Sequence, residues 1–457
     1  MPHKQIERIQ VLNSKPEGDG RYVLYWMQQS LRSRHNHALE YAISCANHRR
    51  LPLIVCFGLT TNFPGATLRH YHFLFEGLVE LEMELASRGI RLVVLEGSPA
   101  DVAVELGKEA QLVVTDRGYL RIQREWRATA AASLACSLHQ VEGDVVVPVE
   151  TASTKEEYNA ANLRKKITPL LEQFLSPVPE LKLETPSREL KPHLGAFAHA
   201  VHRPAELVAR EKQLGIQPEP GPVSRYAGGT SAAERLFREF LDTKLERYDD
   251  QRSDPSLNCV SRMSAYLHFG MISPVYLAHE ARSSGLAGAG AYIEELVVRR
   301  ELSMNYAFYN HHYDRYEGLP PWARTTLEEH RGDTRRAIYT ESQLQNAETG
   351  DPYWNAAQRE LLESGAMHGY MRMYWGKKIL EWRPDPKEAF EIAVRLNDTY
   401  QLDGRDANGY TGVAWCFGKH DRPWPERDVF GKVRYMNAGG LERKFKIKDY
   451  AAQWLPE

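Results

Sequence analysis

The stretch 51-LPLIVCFGL-59, followed by 66-ATLRHYHFLFEGLVELEMELASRG-89 and 90-IRLVVLEG-97, reads as strand, helix, strand. Its outer runs are short, apolar and β-branched on successive residues, the pattern of strands buried on both faces of a parallel sheet. In the middle run Phe73, Leu74, Leu78 and Leu81 recur at helical spacing, and Gly89 supplies the C-terminal stop. Further strand candidates are 22-YVLYWM-27, 111-QLVVTD-116 and 144-DVVVPVE-150. The alternation predicts a doubly wound, Rossmann-like α/β domain over residues 1–175, with ligands at the carboxyl ends of its strands. Neither GxGxxG nor GxxxxGK[ST] follows the first strand, so a dehydrogenase or P-loop reading has no support.

Beyond this domain the texture changes. Over 176–230 proline recurs and the run closes in 226-YAGGTSAAER-235, which predicts a long, partly ordered linker. From 231 to 457 the pattern is helical, in 231-SAAERLFREFLDTKLERY-248, 291-AYIEELVVRRELSMNYAFYN-310, 355-NAAQRELLESG-365 and 367-MHGYMRMYWGKKILEW-382. The triplet 288-GAG-290 reads as a loop joining helices. The expected class is therefore α/β plus all-α.

A chain of 457 residues accommodates two or three domains, and 26% charged with 42% hydrophobic residues suits a globular protein. The formal net charge of -2 names no partner. Its distribution says more, because Lys432, Arg434, Arg443, Lys444, Lys446 and Lys448 face one acid, Glu442, within 430–448. Such a patch suits nucleic acid, although a solvated face is the commoner meaning of a charge run. The five cysteines are scattered and never in CxxC spacing, which argues against a disulfide framework or zinc site and points to a reducing compartment. MPHKQIERIQVLN lacks a signal peptide's apolar run, and no segment approaches the roughly 18 apolar residues of a membrane span.

Three stretches of the helical half bear on chemistry. In 367–382, Met367, Met371, Trp375, Ile379 and Trp382 form one helical stripe, as core packing requires. Trp375 and Trp382 lie ~10 Å apart along the axis, a distance that also permits electron hopping. The polar stretch 397-NDTYQLDGRDANGYTGVAW-415 reads as a loop whose Asn, Asp and Gly residues could meet a flat heterocycle; it misses the EF-hand pattern, so no metal is expected. In 261-SRMSAYLHFGMIS-273, Ser261 and Ser264 precede an apolar run as a helix cap would, and such an end also suits a phosphate.

These stretches, with 294-EELVVRREL-302, 351-DPYWNAAQRELL-362 and 420-HDRPWPER-427, resemble the photolyase/cryptochrome family, specifically its class II cyclobutane pyrimidine dimer photolyases. The similarity runs from 22-YVLYWMQQSLR-32 to 431-GKVRYM-436, and the strings MHGYxRMYWxKKILEW and LDGRDxNGY are its most specific parts.

The resemblance implies FAD in the helical domain, active when reduced. Tyr248, Ser261 and Ser264 would lie by its phosphates and ribityl chain, with Arg262, Met263, Leu267 and Asn305 as further contacts. Arg372, Asn397, Asp403, Asp406 and Asn408 would surround the ring system, Asn397 at its N5. The implied partner is ultraviolet-damaged DNA, whose dimer is flipped out to receive one electron from the light-excited cofactor and return it after both cyclobutane bonds break. Glu295 would hydrogen-bond the dimer's bases, Met373 and Trp415 would wall its pocket, and Asn397 would assist. Arg252, Arg299, Lys432, Arg434 and Arg443 would hold the DNA. Trp354, Trp375 and Trp382 would relay electrons to the cofactor, with Trp382 nearest it or intermediate. A deazaflavin-type antenna pigment is implied for the α/β domain, and a cytoplasmic, DNA-associated monomer for the whole.

Two departures stand out. The phosphate string usually reads SPYL and here is 264-SAYL-267, and an aromatic that follows the glutamate by one turn in some members is here Arg299. Rival readings are a blue-light receptor, disfavoured by a C-terminal run without a long tail; a photolyase for the (6-4) lesion, disfavoured by the lack of a matching histidine; and a non-catalytic DNA-binding flavoprotein.

Overall fold

The computed structural model describes residues 5–455. Residues 1–4 and 456–457, the outer ends of the terminal stretches read above, lie outside the described residues. Seven strands form one sheet: β1 (Ile9–Val11), β2 (Tyr22–Met27), β3 (Leu53–Leu59), β4 (Arg91–Glu96), β5 (Ala110–Asp116), β6 (Ser137–Val141) and β7 (Val201–His202). They lie in the order β1-β6-β5-β2-β3-β4-β7, parallel from β6 to β4, with β1 and β7 antiparallel at the edges. Helices α1 (His37–Arg49), α2 (Leu68–Ser87), α3 (Pro99–Gly107) and α4 (Arg121–Ser133) cover both faces. Val23, Tyr25 and Met27 of β2 pack with α1, α2 and the helical half, while Tyr22, Leu24 and Trp26 pack with α3 and α4. This two-sided burial is why these strands read as unbroken apolar runs.

Four strand assignments need correction. Residues 144–150 form no strand: Val145, Val146 and Val147 are fully buried in an irregular turn before the short helix Val149–Ala152. The turn's backbone is satisfied by side chains in place of a ladder, since Glu301 accepts from Val146 N and Val147 N, and Arg8 donates to Val145 O and Val146 O. The β-branched run therefore signals burial. The sheet instead gains 137-SLHQV-141, hidden by its three polar residues and its lack of a regular alternation, and the brief edge strands β1 and β7. β7 lies within 176–230, as does the helix Pro204–Arg210, which packs on α2. That segment is thus partly an edge of the α/β layer.

The switch point between β2 and β5 is where the winding reverses, and it faces the helical half. The Asp116 carboxylate, at the end of β5, accepts from the backbone N–H groups of Gln28, Gln29 and Ser30 and from Tyr25 Oη, which fixes the chain leaving β2. Burial raises its pKa to about 6. Next, Arg32 donates to Asp144 Oδ1 at 3.0 Å and to Gly270 O at 2.8 Å, and its side chain is 1% exposed. Gly270 has φ +67° and a Cβ there would lie 1.8 Å from Gln29 O, so only glycine permits this approach. Arg300 and Glu301, adjacent on the helix Arg300–Tyr309, hold the other side: Arg300 Nη1 donates to Asp144 O at 2.6 Å, beside the Glu301 bonds already given. Burial pushes Glu301 up to about 8 despite those two N–H donors.

Breaking the seam at Arg32 leaves Asp144 buried without its charge partner. Arg32→Met is expected to cost about 3–5 kcal/mol, read as a lower midpoint in thermal and urea unfolding; an unchanged midpoint would show that the ion pair is dispensable.

Candidate active site

The three tryptophans form a file. Trp354, on the helix Pro352–Ser364, stacks on Trp375 with centroids 6.3 Å apart and planes 5° from parallel, and meets Trp382 edge-on at 5.4 Å. Trp375 and Trp382 both lie on the helix Gly369–Trp382, two turns apart, and all three rings are buried in the second core. Trp354 is therefore the middle member, and Trp382 is an end rather than an intermediate. Trp354 Nε1 donates to Trp375 O at 3.0 Å and Trp375 Nε1 to Gln358 Oε1 at 2.8 Å.

Arg372, one turn before Trp375, opens the polar part of the site. One terminal nitrogen reaches both Asp403 oxygens at 2.9 Å, and Nε donates to Met367 O. The stretch 397–415 is not a loop. It comprises the last turn of the helix Pro386–Tyr400, a tight reversal, and the helix Ala407–Cys416. Its Asp and Asn residues mark a cap: Asp406 accepts from Asn408 N at 2.8 Å. Burial pushes Asp406 up, but the His268 hydrogen bond at 3.2 Å, the nearby positive charge of His268 and Arg300 and the Asn408 N–H together outweigh it and hold the carboxyl below its ordinary range. Asn397 Nδ2 donates to Asp398, which also accepts from Arg405 N and Tyr410 Oη. A Cβ on Gly409 would stand 2.8 Å from Asn397 Nδ2, so the glycine leaves room for the amide. Arg372, Asn397, Asp403, Asp406 and Asn408 are thus brought together around one reversal.

Residues 261–273 depart from expectation. The helix there, Ser264–His268, is short and starts without a side-chain cap, and Ser273 caps the following helix instead, accepting from Tyr276 N. Gly288 likewise opens the helix Ala289–Ile293. Arg262, at φ +60°, donates to Glu360 and Asn258, so its guanidinium is engaged within the protein. Asn305 donates to Lys155 O and accepts from Glu157 N, which ties its amide to the 155–157 turn. Met263, Leu267 and Tyr248 are core residues of the first cluster, and Ser261 touches the buried Tyr292 phenol.

Glu295 lies in a π-helical turn, Glu294–Arg299, a form that brings residues five apart onto one face. Arg299 Nε accordingly reaches Glu294 at 3.2 Å, and Glu294 also binds Arg164. Glu295 pairs with Arg252 at 3.0 Å, with Tyr248 under the guanidinium at 5.9 Å. Met373 and Trp415 lie on two helices that touch, where Cys416 Sγ donates to Met373 O at 3.7 Å. Arg434 stacks 4.5 Å from Trp424 and 6.0 Å from Trp415. Lys432, Arg434, Arg443, Lys444, Lys446 and Lys448 are all exposed, so the basic run is a surface stripe. Sequence reading missed His268, Gln358, Arg422 and Trp424; the alternating cations and rings of 420-HDRPWPER-427 were the available signal for the last two.

A cavity of about 1040 Å³, counting its open mouth, opens at the β2/β5 switch point. Phe57, Phe63, Tyr71, Trp126 and Phe269 supply flat apolar walls, with Gln28 and Gln123 among the polar groups. Among the described residues no group of side chains is arranged to hold a metal ion, and no helix is long and apolar enough to cross a membrane. All five cysteines are buried thiols.

A sheet with its cavity at the switch point, joined to helices that carry a tryptophan file and a polar reversal, has clear counterparts. The DNA photolyase family model matches residues 23–184. Deoxyribodipyrimidine photo-lyase of Methanothermobacter thermautotrophicus is 52% identical over 97% of both chains, and that of Potorous tridactylus is 35% identical over 99% of this chain and 85% of its own. The chain belongs to the photolyase/cryptochrome family. As an enzyme it stands with the deoxyribodipyrimidine photo-lyases, and these relatives support DNA repair as its work. The fold agrees: a class III photolyase of Agrobacterium tumefaciens superposes with TM-score 0.71 at 18% identity, covering 96% of this chain and 87% of that one. An archaeal photolyase of Sulfolobus tokodaii, described with two FAD molecules, gives 0.70 at 18% over 95% and 90%.

Trp354 stabilises the helical core whatever else it does. Trp354→Phe removes its N–H bond and part of both ring contacts, and is expected to cost about 1–3 kcal/mol, measured by thermal unfolding; a neutral effect would mean that the file contributes nothing to packing.

Proposed function

We propose that the chain repairs cyclobutane pyrimidine dimers in ultraviolet-damaged DNA under blue or near-ultraviolet light, with reduced FAD bound in the helical half. The observation that carries the reading is the file of three indoles that starts one turn from the Arg372–Asp403 clamp. The residues present fit the cofactor. Arg372 keeps one terminal nitrogen free, and the Ser264 hydroxyl and the Asn408 amide have no protein partner among the described residues. FAD, when bound and reduced, supplies the light-absorbing electron donor. Residues 231–457 hold it, 1–175 form the antenna-type domain, and 176–230 connect the two.

Each residue then has a physical task. Asn397, the Arg372–Asp403 pair, Asp406 and Asn408 would hold and orient the ring system. Glu295, freed from Arg252, donates or accepts at the base edges of the dimer, while Met373 and Trp415 exclude water from it. Extruding a dimer costs a few kcal/mol and is easiest where the duplex is already distorted. Arg252, Arg299, Lys432, Arg434 and Arg443 bind the phosphates and the gap left behind. The file Trp382–Trp354–Trp375 carries electrons inward. The switch-point cavity, with its flat apolar walls, suits an antenna heterocycle of the deazaflavin type. The chain acts as a monomer in the compartment that holds the DNA.

The test is direct. Mixed with oligothymidine dimers after chemical reduction, the purified protein is expected to restore thymine absorbance in light and not in darkness. Loss of activity with the cofactor present and reduced would reject the reading in favour of a light receptor. Glu295→Ala is expected to lower repair per absorbed photon about tenfold. A second variant separates wiring from chemistry: Trp354→Phe should abolish photoreduction of the oxidised protein yet repair normally once reduced chemically. Equal photoreduction in wild type and variant would remove Trp354 from the relay.

A further inference from the structure

Lys377 is wholly buried, and no carboxylate among the described residues pairs with it. Its Nζ donates to Cys416 O at 2.6 Å and stands 4.9 Å from the centroid of the Trp415 ring. A buried ammonium without a charge partner is costly, and an apolar side chain of similar length would fill the same space without that penalty. The seat is a built one. Gly376 lets the helices Gly369–Trp382 and Ala407–Cys416 touch, since a Cβ there would lie 2.7 Å from Cys416 Sγ. The ammonium then meets the last carbonyls of the second helix, where a cation is favoured. Lys377 follows Met373 by one turn, on the face that carries the apolar wall.

We infer that Lys377 is a positioning residue for lesion recognition: its ammonium fixes the Trp415 ring in the attitude that an extruded dimer packs against. The inference rests on the reading of Trp415 as a lesion wall. Arg434 touches the same ring from the exposed basic stripe, but it can leave for DNA, whereas Lys377 is enclosed. Geometry makes Lys377 the permanent support. Burial brings its pKa from 10.5 down to about 8, with Cys416 and Asp421 drawing it up and Arg434 pressing it down. The support is therefore charged below about pH 8 and lost above it.

The experiment compares dissociation constants for an oligonucleotide with one thymine dimer and for its undamaged copy. Lys377→Met is expected to reduce the preference for the dimer about tenfold and to leave undamaged DNA unaffected. Wild type should lose preference between about pH 7 and about pH 9, while Lys377→Arg stays flat because arginine keeps its charge. In a Trp415→Leu background, Lys377→Met should change nothing further. A folded Lys377→Met with full preference overturns the proposal, as does an undiminished loss in the Trp415→Leu background. A second readout is independent of DNA: the fluorine resonance of 5-fluorotryptophan at position 415, identified by its absence in Trp415→Phe. It should shift in Lys377→Met and titrate near pH 8 in wild type. If Lys377→Met does not fold, that titration decides, and a flat line overturns the proposal. If wild type shows no preference for the dimer, the proposed function fails, and the fluorine signal alone settles whether Lys377 holds the ring.

Discussion

Everything in this molecule hangs on how the irregular turn 144–147 is satisfied. It is buried between the sheet and the helices, so its backbone groups have no water to meet, and an unpaired buried amide or carbonyl costs about as much as a lost hydrogen bond. Arg8, Arg300 and Glu301 supply the partners, and Arg32 closes the seam through Asp144 and Gly270. A purely apolar junction would allow the layers to slide. These bonds have fixed directions, and they set the carboxyl ends of β2 and β5 against the helix that carries Glu301. The switch-point cavity exists because of that alignment.

The same seam explains what the sequence could tell. Strands β2 to β5 were legible because burial on both faces writes an unbroken apolar run, and α2 because its apolar positions keep helical spacing. Val145–Val147 carry the same composition without the ladder, and nothing local distinguishes them; their partners are Arg8 and Glu301, more than a hundred residues away in each case. β6 failed for the opposite reason, since 137-SLHQV-141 pairs on both sides yet carries three polar residues in five and neither an apolar run nor a regular alternation. In the helical half the polar run 397–415 looked like a loop because caps and loops favour the same residues.

The site residues were legible in a different sense. Motifs brought together Arg372, Asn397, Asp403, Asp406 and Asn408, and the structure places them around one reversal. Asn305 and Arg262, from the same set of motifs, also bond Lys155, Glu157, Glu360 and Asn258. Hydrogen bonds to distant backbone are set by the fold, so sequence proximity could not reveal them. The π turn at Glu294–Arg299 was equally hidden. It is a one-residue change of register, and its visible consequence, the Glu294–Arg299 pair, needs a spacing of five that ordinary helical reasoning does not test.

The order of the tryptophans was the clearest gain from three dimensions, and it carries a chemical asymmetry. Period alone relates Trp375 to Trp382, which share a helix, yet it is Trp354 from the neighbouring helix that stands between them. The N–H groups of Trp354 and Trp375 donate to a backbone carbonyl and a glutamine amide, neutral acceptors that take no proton at ordinary pH. Trp382 is different: Lys378 lies 5.1 Å from its ring and Tyr339 meets it edge-on at 4.9 Å, with Glu381 bonded to that lysine. A cation and a phenol thus lie directly against the Trp382 ring, whereas the other two indole N–H groups meet neutral acceptors. Core packing demands that indole N–H groups be satisfied, and the fold meets that demand for Trp354 and Trp375 with neutral acceptors while setting a cation and a phenol against the Trp382 ring.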